Sequence, residues 1–206
     1  MSVIVVGLLW IWDSFTLWLY NLFVAPFTNL EIFWILAPVY VGLFLAEFFQ
    51  EKKGTSLGNA ISNSVIALWG GIDFLRITVH IITTTAFTID TFKRIFICIL
   101  IISYGLYIIY LGVKVKGITK YLGRIREVSY IIIVFAPIYY TDSKLTIQYI
   151  FGAVAFFYLF YLGLEIINQF TPDPAAFVQD LKEASSMSPS SPTPPINRPN
   201  FSGGKR

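Results

Sequence analysis

The chain has 206 residues, of which 56% are hydrophobic and 13% are charged. Soluble domains average about 45–50% hydrophobic and about 25% charged residues, and one core of this size cannot bury such an excess of apolar surface. The composition therefore excludes a soluble globular domain and a disordered chain, and the net charge of +3 gives no indication of a nucleic-acid partner. The sequence predicts an all-α membrane protein in contact with the lipid bilayer.

Six segments are predicted to cross or enter the membrane, since a transmembrane helix needs about 20 largely apolar residues. Residues 95–113 and 145–164 are free of charge, and residues 32–46 lie between two glutamates. Residues 3–25 and 55–89 carry charges within their apolar stretches. Residues 128–141 are short and reach a marginal length only if Ile125 and the aliphatic stem of Arg126 are included. The expected architecture is a bundle of about six transmembrane or intramembrane helices.

The distribution of basic residues predicts an orientation. If all six segments cross, 11 lysine and arginine residues fall on the side of the N-terminus and 3 on the other side. Basic residues concentrate on the cytoplasmic side of membrane proteins. We therefore expect both termini to be cytoplasmic, in a cell membrane or an organelle inner membrane.

The composition changes after residue 170, which ends the predicted multi-pass domain of residues 1–170. Residues 171–206 hold seven of the ten prolines. Asp173 and Pro174 suit the start of a helix, which predicts a short cytoplasmic amphipathic helix over residues 171–187. Residues 188–206 are rich in Ser and Pro and are expected to form a disordered tail.

The most informative stretch is residues 56–84, where polar side chains recur on one helical face. At about 100° per residue they form a stripe that cannot face lipid without a cost of several kcal/mol per unpaired group. The stripe predicts either a polar transport pathway or a packing surface, and Gly70-Gly71 is a candidate kink in the helix. Its members are Asn59, Asn63, Asp73, Arg76 and His80.

Further charged residues extend these interpretations. Asp13 lies midway along the first segment and is a candidate charge partner of Arg76. Glu47 and Glu165 are expected near one membrane face. Glu47 is expected to compensate neighbouring lysines and Glu165 to extend to the interface or bond the amides that follow it; the alternative is that the two carboxylates bind a cation. A loop with five basic residues and no acidic one predicts binding to anionic headgroups or to a partner at the cytoplasmic face. These basic residues are Lys114, Lys116, Lys120, Arg124 and Arg126.

The sequence favours a non-enzymatic role. It contains no H-E-x-x-H, P-loop or G-x-G-x-x-G motif. His80 is the only histidine and Cys98 the only cysteine, so we expect no metal site and no cofactor. The leading hypothesis is a subunit or scaffold of a membrane complex, with a protein partner or a second copy of the chain. The alternative is a small transporter or channel that uses the stripe of residues 56–84, and the third hypothesis is a membrane enzyme acting on a lipid headgroup.

Overall fold

The computed structural model describes residues 2–52, 54–141 and 143–172, all within the unit Met1–Pro172. Every regular element in this part of the chain is a helix. The predicted amphipathic helix and Pro-rich tail lie outside the described residues, apart from Thr171 and Pro172. In chain order the elements are α1 (Val3–Phe23), a 3-10 turn (Ala25–Phe27), α2 (Leu30–Phe49), α3 (Leu57–Thr84), α4 (Ile89–Val113), α5 (Thr119–Leu122), α6 (Ile125–Tyr140), α7 (Ile147–Ala155) and α8 (Phe157–Phe170).

Polar caps define where four of these helices begin. In each case the side-chain oxygen of the residue before the helix accepts a hydrogen bond from the backbone N–H three residues later, which satisfies one of the unpaired donors at a helix start. These caps are Asn29 for α2, Ser56 for α3, Thr88 for α4 and Thr146 for α7.

Five helices are long and apolar enough to cross a membrane: α1, α2, α3, α4 and the nearly continuous pair α7–α8. This finding confirms the all-helical architecture and the apolar spans, but it counts five spans where the sequence predicts about six. The sixth candidate is α6, whose 16 residues extend about 24 Å. That length is less than the roughly 30 Å hydrocarbon core of a bilayer.

The short helix α6 forms the centre of the bundle. Twelve of its sixteen residues are buried, and both α2 and α3 pack along it. The ring of Tyr139 stacks on Phe74 of α3 with 4.3 Å between ring centroids. Since its neighbours enclose it, α6 meets protein along most of its length. We refer to the two ends of the bundle as the Arg126 end, where α6 begins, and the Tyr140 end, where α6 finishes.

The most extensive helix pairing joins α3 and α4, whose backbones approach closely at glycines. A Cβ atom on Gly105 would lie 3.0 Å from the carbonyl oxygen of Ser64 and 3.1 Å from the backbone nitrogen of Leu68. On α3, Gly70 and Gly71 are buried and the helix continues through them without a break. The expected kink is therefore absent, because these glycines serve close packing against α6 and α4.

Helix α1 packs beside α7 and runs in the same direction. Trp10 contacts Phe151 with 4.8 Å between ring centroids, and Trp18 contacts Phe156 with 5.6 Å. The residue numbers therefore rise together along the two helices, and the start of α1 lies at the Tyr140 end. Six alternating crossings would place the first and last segments antiparallel, so this pairing departs from the simple alternating scheme.

Candidate functional site

The polar stripe of α3 divides into two groups at opposite ends of α6. Asn63 lies at the Arg126 end and Asp73 lies ten residues further, about 15 Å along the helix axis, at the Tyr140 end. Between them Gly70 is buried, and a Cβ atom there would collide with the side chain of Ile132. Apolar packing thus interrupts the stripe. The structure separates Asn59 and Asn63 from the group formed by Asp73, Arg76 and His80.

An ion cluster occupies the interior of the Arg126 end. The side chain of Arg126 is only 1% exposed and donates through Nε to Glu47 Oε2 over 2.7 Å and through Nη2 to Glu47 Oε1. Its Nη1 donates to Glu165 Oε2 over 2.8 Å, and its guanidinium lies 4.6 Å from the ring centroid of Tyr161. Arg126 therefore ties α2, α6 and α8 together through charge-assisted hydrogen bonds.

Glu51 extends this cluster toward α3. Its carboxylate is 1% exposed and accepts hydrogen bonds from Thr55 Oγ1 over 2.7 Å and from Asn63 Nδ2 over 2.5 Å. It also accepts the backbone N–H of Ile125 over 3.1 Å, where the positive end of the α6 dipole favours an anion. Asn63 donates in addition to the carbonyl of Gly123 over 2.9 Å. Asn63 therefore has a structural partner on each side.

These contacts correct two predictions. Arg126 was expected on the lipid-facing basic surface with its guanidinium extended to the membrane interface, but the guanidinium is buried because two carboxylates neutralise and bind it. Glu47 and Glu165 do approach one another, as a cation site would require, and the cation between them is this arginine. Among the described residues there is no group of three or more His, Cys, Asp or Glu side chains placed to hold a metal ion.

The remainder of the predicted basic surface is only partly accessible. Lys114, Lys116 and Lys120 are exposed around α5. Arg124 is half-buried, and its Nη1 donates to the hydroxyl of Tyr161 over 2.9 Å. Three lysines of the five predicted residues are thus exposed to headgroups or to a partner.

At the Tyr140 end, Asp73 and Arg76 form a local ion pair. Arg76 donates to Asp73 Oδ1 through Nε over 2.9 Å and through Nη2 over 2.8 Å, while the hydroxyl of Tyr140 donates to Asp73 Oδ2. Residues Asp73, Arg76, His80 and Tyr140 line an open cavity of about 650 Å³. The side chain of Arg76 is 72% exposed and that of Asp73 is 16% exposed, so the guanidinium reaches into this cavity.

Asp13 does not serve as the partner of Arg76, which corrects a third prediction. Asp73 occupies that role because it lies one turn away on the same helix face. Asp13 is exposed on the outer side of α1, and its carboxylate has no hydrogen-bond or ion-pair partner in the part of the chain that the structure describes. Residues 2–13 are all exposed, and α1 packs on the bundle through four buried residues: Ser14, Trp18, Asn21 and Leu22.

Residues 54–58, with the sequence GTSLG, match the G-x-S-x-G pattern of serine hydrolases, a match that sequence reasoning missed. In hydrolases this serine follows a strand and contacts a histidine. Here Ser56 caps α3, where its Oγ accepts the N–H of Asn59 over 3.0 Å. His80 lies 24 residues further along the same unbroken helix, about 36 Å away. The match therefore forms no catalytic pair.

Tyr140 is the main site residue that sequence reasoning missed. It contacts Asp73 across 67 residues of sequence, so no local spacing connects the two. The only available signal is that a tyrosine ends a short apolar segment beside a charged helix.

Comparison of the chain with protein-family models, with curated proteins and with solved structures finds no match.

Proposed function

We propose that this integral membrane protein is a non-enzymatic subunit of a membrane complex, and that the outer face of α1 is where a partner chain or a second copy docks. The observation that carries this proposal is the exposed carboxylate of Asp13 on an apolar helix. Of the most apolar 18-residue window of α1, 11% is buried, the smallest share among the five spans. This helix therefore presents more unpartnered surface than its neighbours.

The depth of α1 in the membrane does not remove the need for a partner. Only residues 24–29 join α1 to α2, and α2 begins at the Tyr140 end, so α1, which also starts at that end, does not reach the Arg126 end. It follows the depth of α7, with Trp10 beside Phe151, and the apolar residues 3–9 project beyond the start of α7. A bilayer alone leaves this apolar surface and the Asp13 carboxylate, an unpaired charge that is costly within the membrane, unsatisfied.

The exposed lysines around α5 are assigned a supporting role. Lys114, Lys116 and Lys120 lie at the Arg126 end of the bundle, where they would attract anionic headgroups of the cytoplasmic leaflet at roughly 1 kcal/mol each. This assignment places the Arg126 end and the end of α8 in the cytoplasm. Because α1 runs parallel to α7, the start of α1 would then lie on the opposite side, whereas the count of basic residues predicts a cytoplasmic N-terminus.

The transport alternative has less physical support than the subunit proposal. A pathway along residues 56–84 requires polar groups at successive depths, whereas the packing of Gly70 against Ile132 closes the stripe between Asn63 and Asp73. The ion cluster at the Arg126 end is fully engaged in holding helices together. The cavity at the Tyr140 end remains accessible.

The proposal is tested by purifying the protein in a mild detergent and measuring the mass of the assembly by light scattering, with mass spectrometry of the proteins present. We expect the wild-type protein to exceed the 23.4 kDa of one chain, and Asp13→Leu to reduce it to a monomer. Ser103→Leu is the matched control, because Ser103 is also polar, exposed and central in its helix, on α4. A monomeric wild-type protein, or an assembly unchanged by Asp13→Leu, contradicts the proposal.

A further inference from the structure

A cleft opens between α2 and α3, independently of the α1 surface. Both helices pack along α6, but they contact each other far less than either contacts α6. They run antiparallel, since α2 begins and α3 ends at the Tyr140 end. The cleft therefore has α2 and α3 as walls and α6 as floor, and its fourth side faces the surrounding lipid.

The compartment of this cleft at the Tyr140 end, called the upper compartment, is polar. Its volume is about 650 Å³, within the roughly 300–1,000 Å³ typical of ligand pockets. Glu31 of α2 lies on one wall, Arg76 and His80 of α3 lie on the other, and Tyr140 of α6 contributes its hydroxyl at the floor. Glu31 is the second residue of α2, so this compartment lies at the depth where that helix enters the membrane.

The lower compartment is apolar and continues from the upper one. It has a volume of about 340 Å³, and Trp34 and Ile35 line both compartments. Further down, its walls are Pro38 and Val39 of α2 and Val65, Ile66 and Trp69 of α3, with Ile132 of α6 as the floor. Polar and apolar surfaces thus follow one another along the membrane normal, as the headgroup and acyl chain of a lipid do.

The dimensions of the cleft agree with a lipid in one leaflet. On α3 the lining extends from His80 to Val65, fifteen residues, or about 22 Å along the axis. One leaflet contributes about 15 Å of hydrocarbon plus its headgroup layer. Trp34 and Trp69 are 69% and 68% exposed, so the cleft is open on the side that would face the bilayer.

The charges of the upper compartment indicate the class of headgroup. Arg76 and His80 supply donors on one wall, suited to a phosphate, although Asp73 already neutralises part of the arginine charge. Glu31 supplies an anionic acceptor on the opposite wall, suited to an ammonium group. With one unit of negative charge in excess when His80 is neutral, the compartment disfavours a headgroup that is only anionic.

We propose that the α2–α3 cleft binds a phospholipid whose headgroup carries both a phosphate and an ammonium group. The phosphate lies against Arg76 and His80, the ammonium against Glu31, and one acyl chain fills the apolar compartment between Trp34 and Trp69. The lipid is held by opposite charges on two helices that otherwise scarcely touch, and so it completes the packing of α2 against α3.

The test is native mass spectrometry of the full chain released from nanodiscs of equal parts phosphatidylethanolamine and phosphatidylglycerol. We expect one retained phosphatidylethanolamine per chain. Arg76→Gln removes a charge-assisted hydrogen bond, and Glu31→Gln removes the ammonium partner, so each lowers this retention about tenfold. Val65→Trp fills the apolar compartment and abolishes retention. Lys93→Gln, Asp90→Asn and Ile99→Trp are the matched controls, at exposed or half-buried positions outside the cleft, and leave retention unchanged.

Three results overturn the proposal. The first is equal retention of phosphatidylethanolamine and phosphatidylglycerol together with no effect of Glu31→Gln. That result would show that Glu31 does not bind the ammonium group. The second is unchanged retention in both Arg76→Gln and Val65→Trp. The third is that soluble glycerophosphoethanolamine competes as well as the intact lipid, since the apolar compartment then contributes nothing. Glu31 is exposed, so Glu31→Gln keeps the test valid even if Val65→Trp fails to fold.

Discussion

The ion cluster at the Arg126 end makes a quantitative prediction for Arg126→Met. This change removes the cation between Glu47 and Glu165 and leaves the Glu47 carboxylate, which is 1% exposed, without its bidentate partner. Removing one member of a buried ion pair costs about 3–5 kcal/mol, because the remaining charge is desolvated and uncompensated. The contribution of Glu165 is small in comparison, since its side chain is 42% exposed and an exposed pair is worth about 0–1 kcal/mol.

A double substitution separates the cost of the unpaired carboxylate from loss of packing. Replacing a buried ion pair by apolar side chains of similar size is often neutral or stabilising. We therefore expect the free energy of unfolding of the Glu47→Met, Arg126→Met double variant to lie within about 1 kcal/mol of the wild-type value. It should be well above that of Arg126→Met alone. Glu165→Gln alone should cost about 1 kcal/mol or less.

The assay is reversible denaturant unfolding in mixed micelles, from which the free energy of unfolding is obtained by linear extrapolation. Lys120→Met is the control for loss of a positive charge at an exposed position, with an expected effect within about 0.5 kcal/mol. A cost below about 1 kcal/mol for Arg126→Met, or a double substitution no more stable than the single one, would contradict the penalty assigned to the unpaired Glu47 carboxylate.

Three further predictions concern packing, the Glu51 site and topology. Gly105→Ala should lower the free energy of unfolding by about 1–3 kcal/mol, because its Cβ meets the α3 backbone, while Gly163→Ala, which has open space, should not. Asn63→Leu should cost about 1–3 kcal/mol in the same assay, since Glu51 and Gly123 each lose a buried donor; an effect below 0.5 kcal/mol contradicts this assignment. In a Cys98→Ser background, Ser2→Cys and Lys116→Cys should react with a membrane-impermeant thiol reagent from opposite sides of the membrane, and labelling from one side would contradict the parallel pairing of α1 and α7.

The all-helical architecture and its apolar spans were accessible from sequence because apolar length is a local property. The charge-free residues 95–113, for example, fall within α4. The central position of α6 was not accessible. Its sequence differs from a lipid-facing span in being short and in carrying Arg126 and Glu127 in its first turn. Burial of that helix depends on how α2 and α3 are arranged around it.

The candidate site was predicted in composition more than in arrangement. Asp73 and Arg76 form an ion pair in the structure, because a spacing of three residues brings two side chains to one helix face. Arg126 was assigned to the membrane surface. Glu47, which binds it, is 79 residues away in the sequence, and nothing in the local sequence indicates that the two side chains meet. Tyr140 was missed for the same reason. Long-range pairing determines both clusters, and a single sequence does not encode it in any periodic pattern.

The docking role of α1 is tested most directly by site-specific photo-crosslinking in native membranes. A photoreactive benzophenone side chain is placed at Leu9, which is one turn from Asp13 and 46% exposed, and in a second variant at Ile99, which is 53% exposed on α4. We expect a discrete protein adduct from position 9, lost when Asp13 is replaced by leucine, and only lipid adducts from position 99. Lipid adducts alone from position 9 would contradict the docking role of α1.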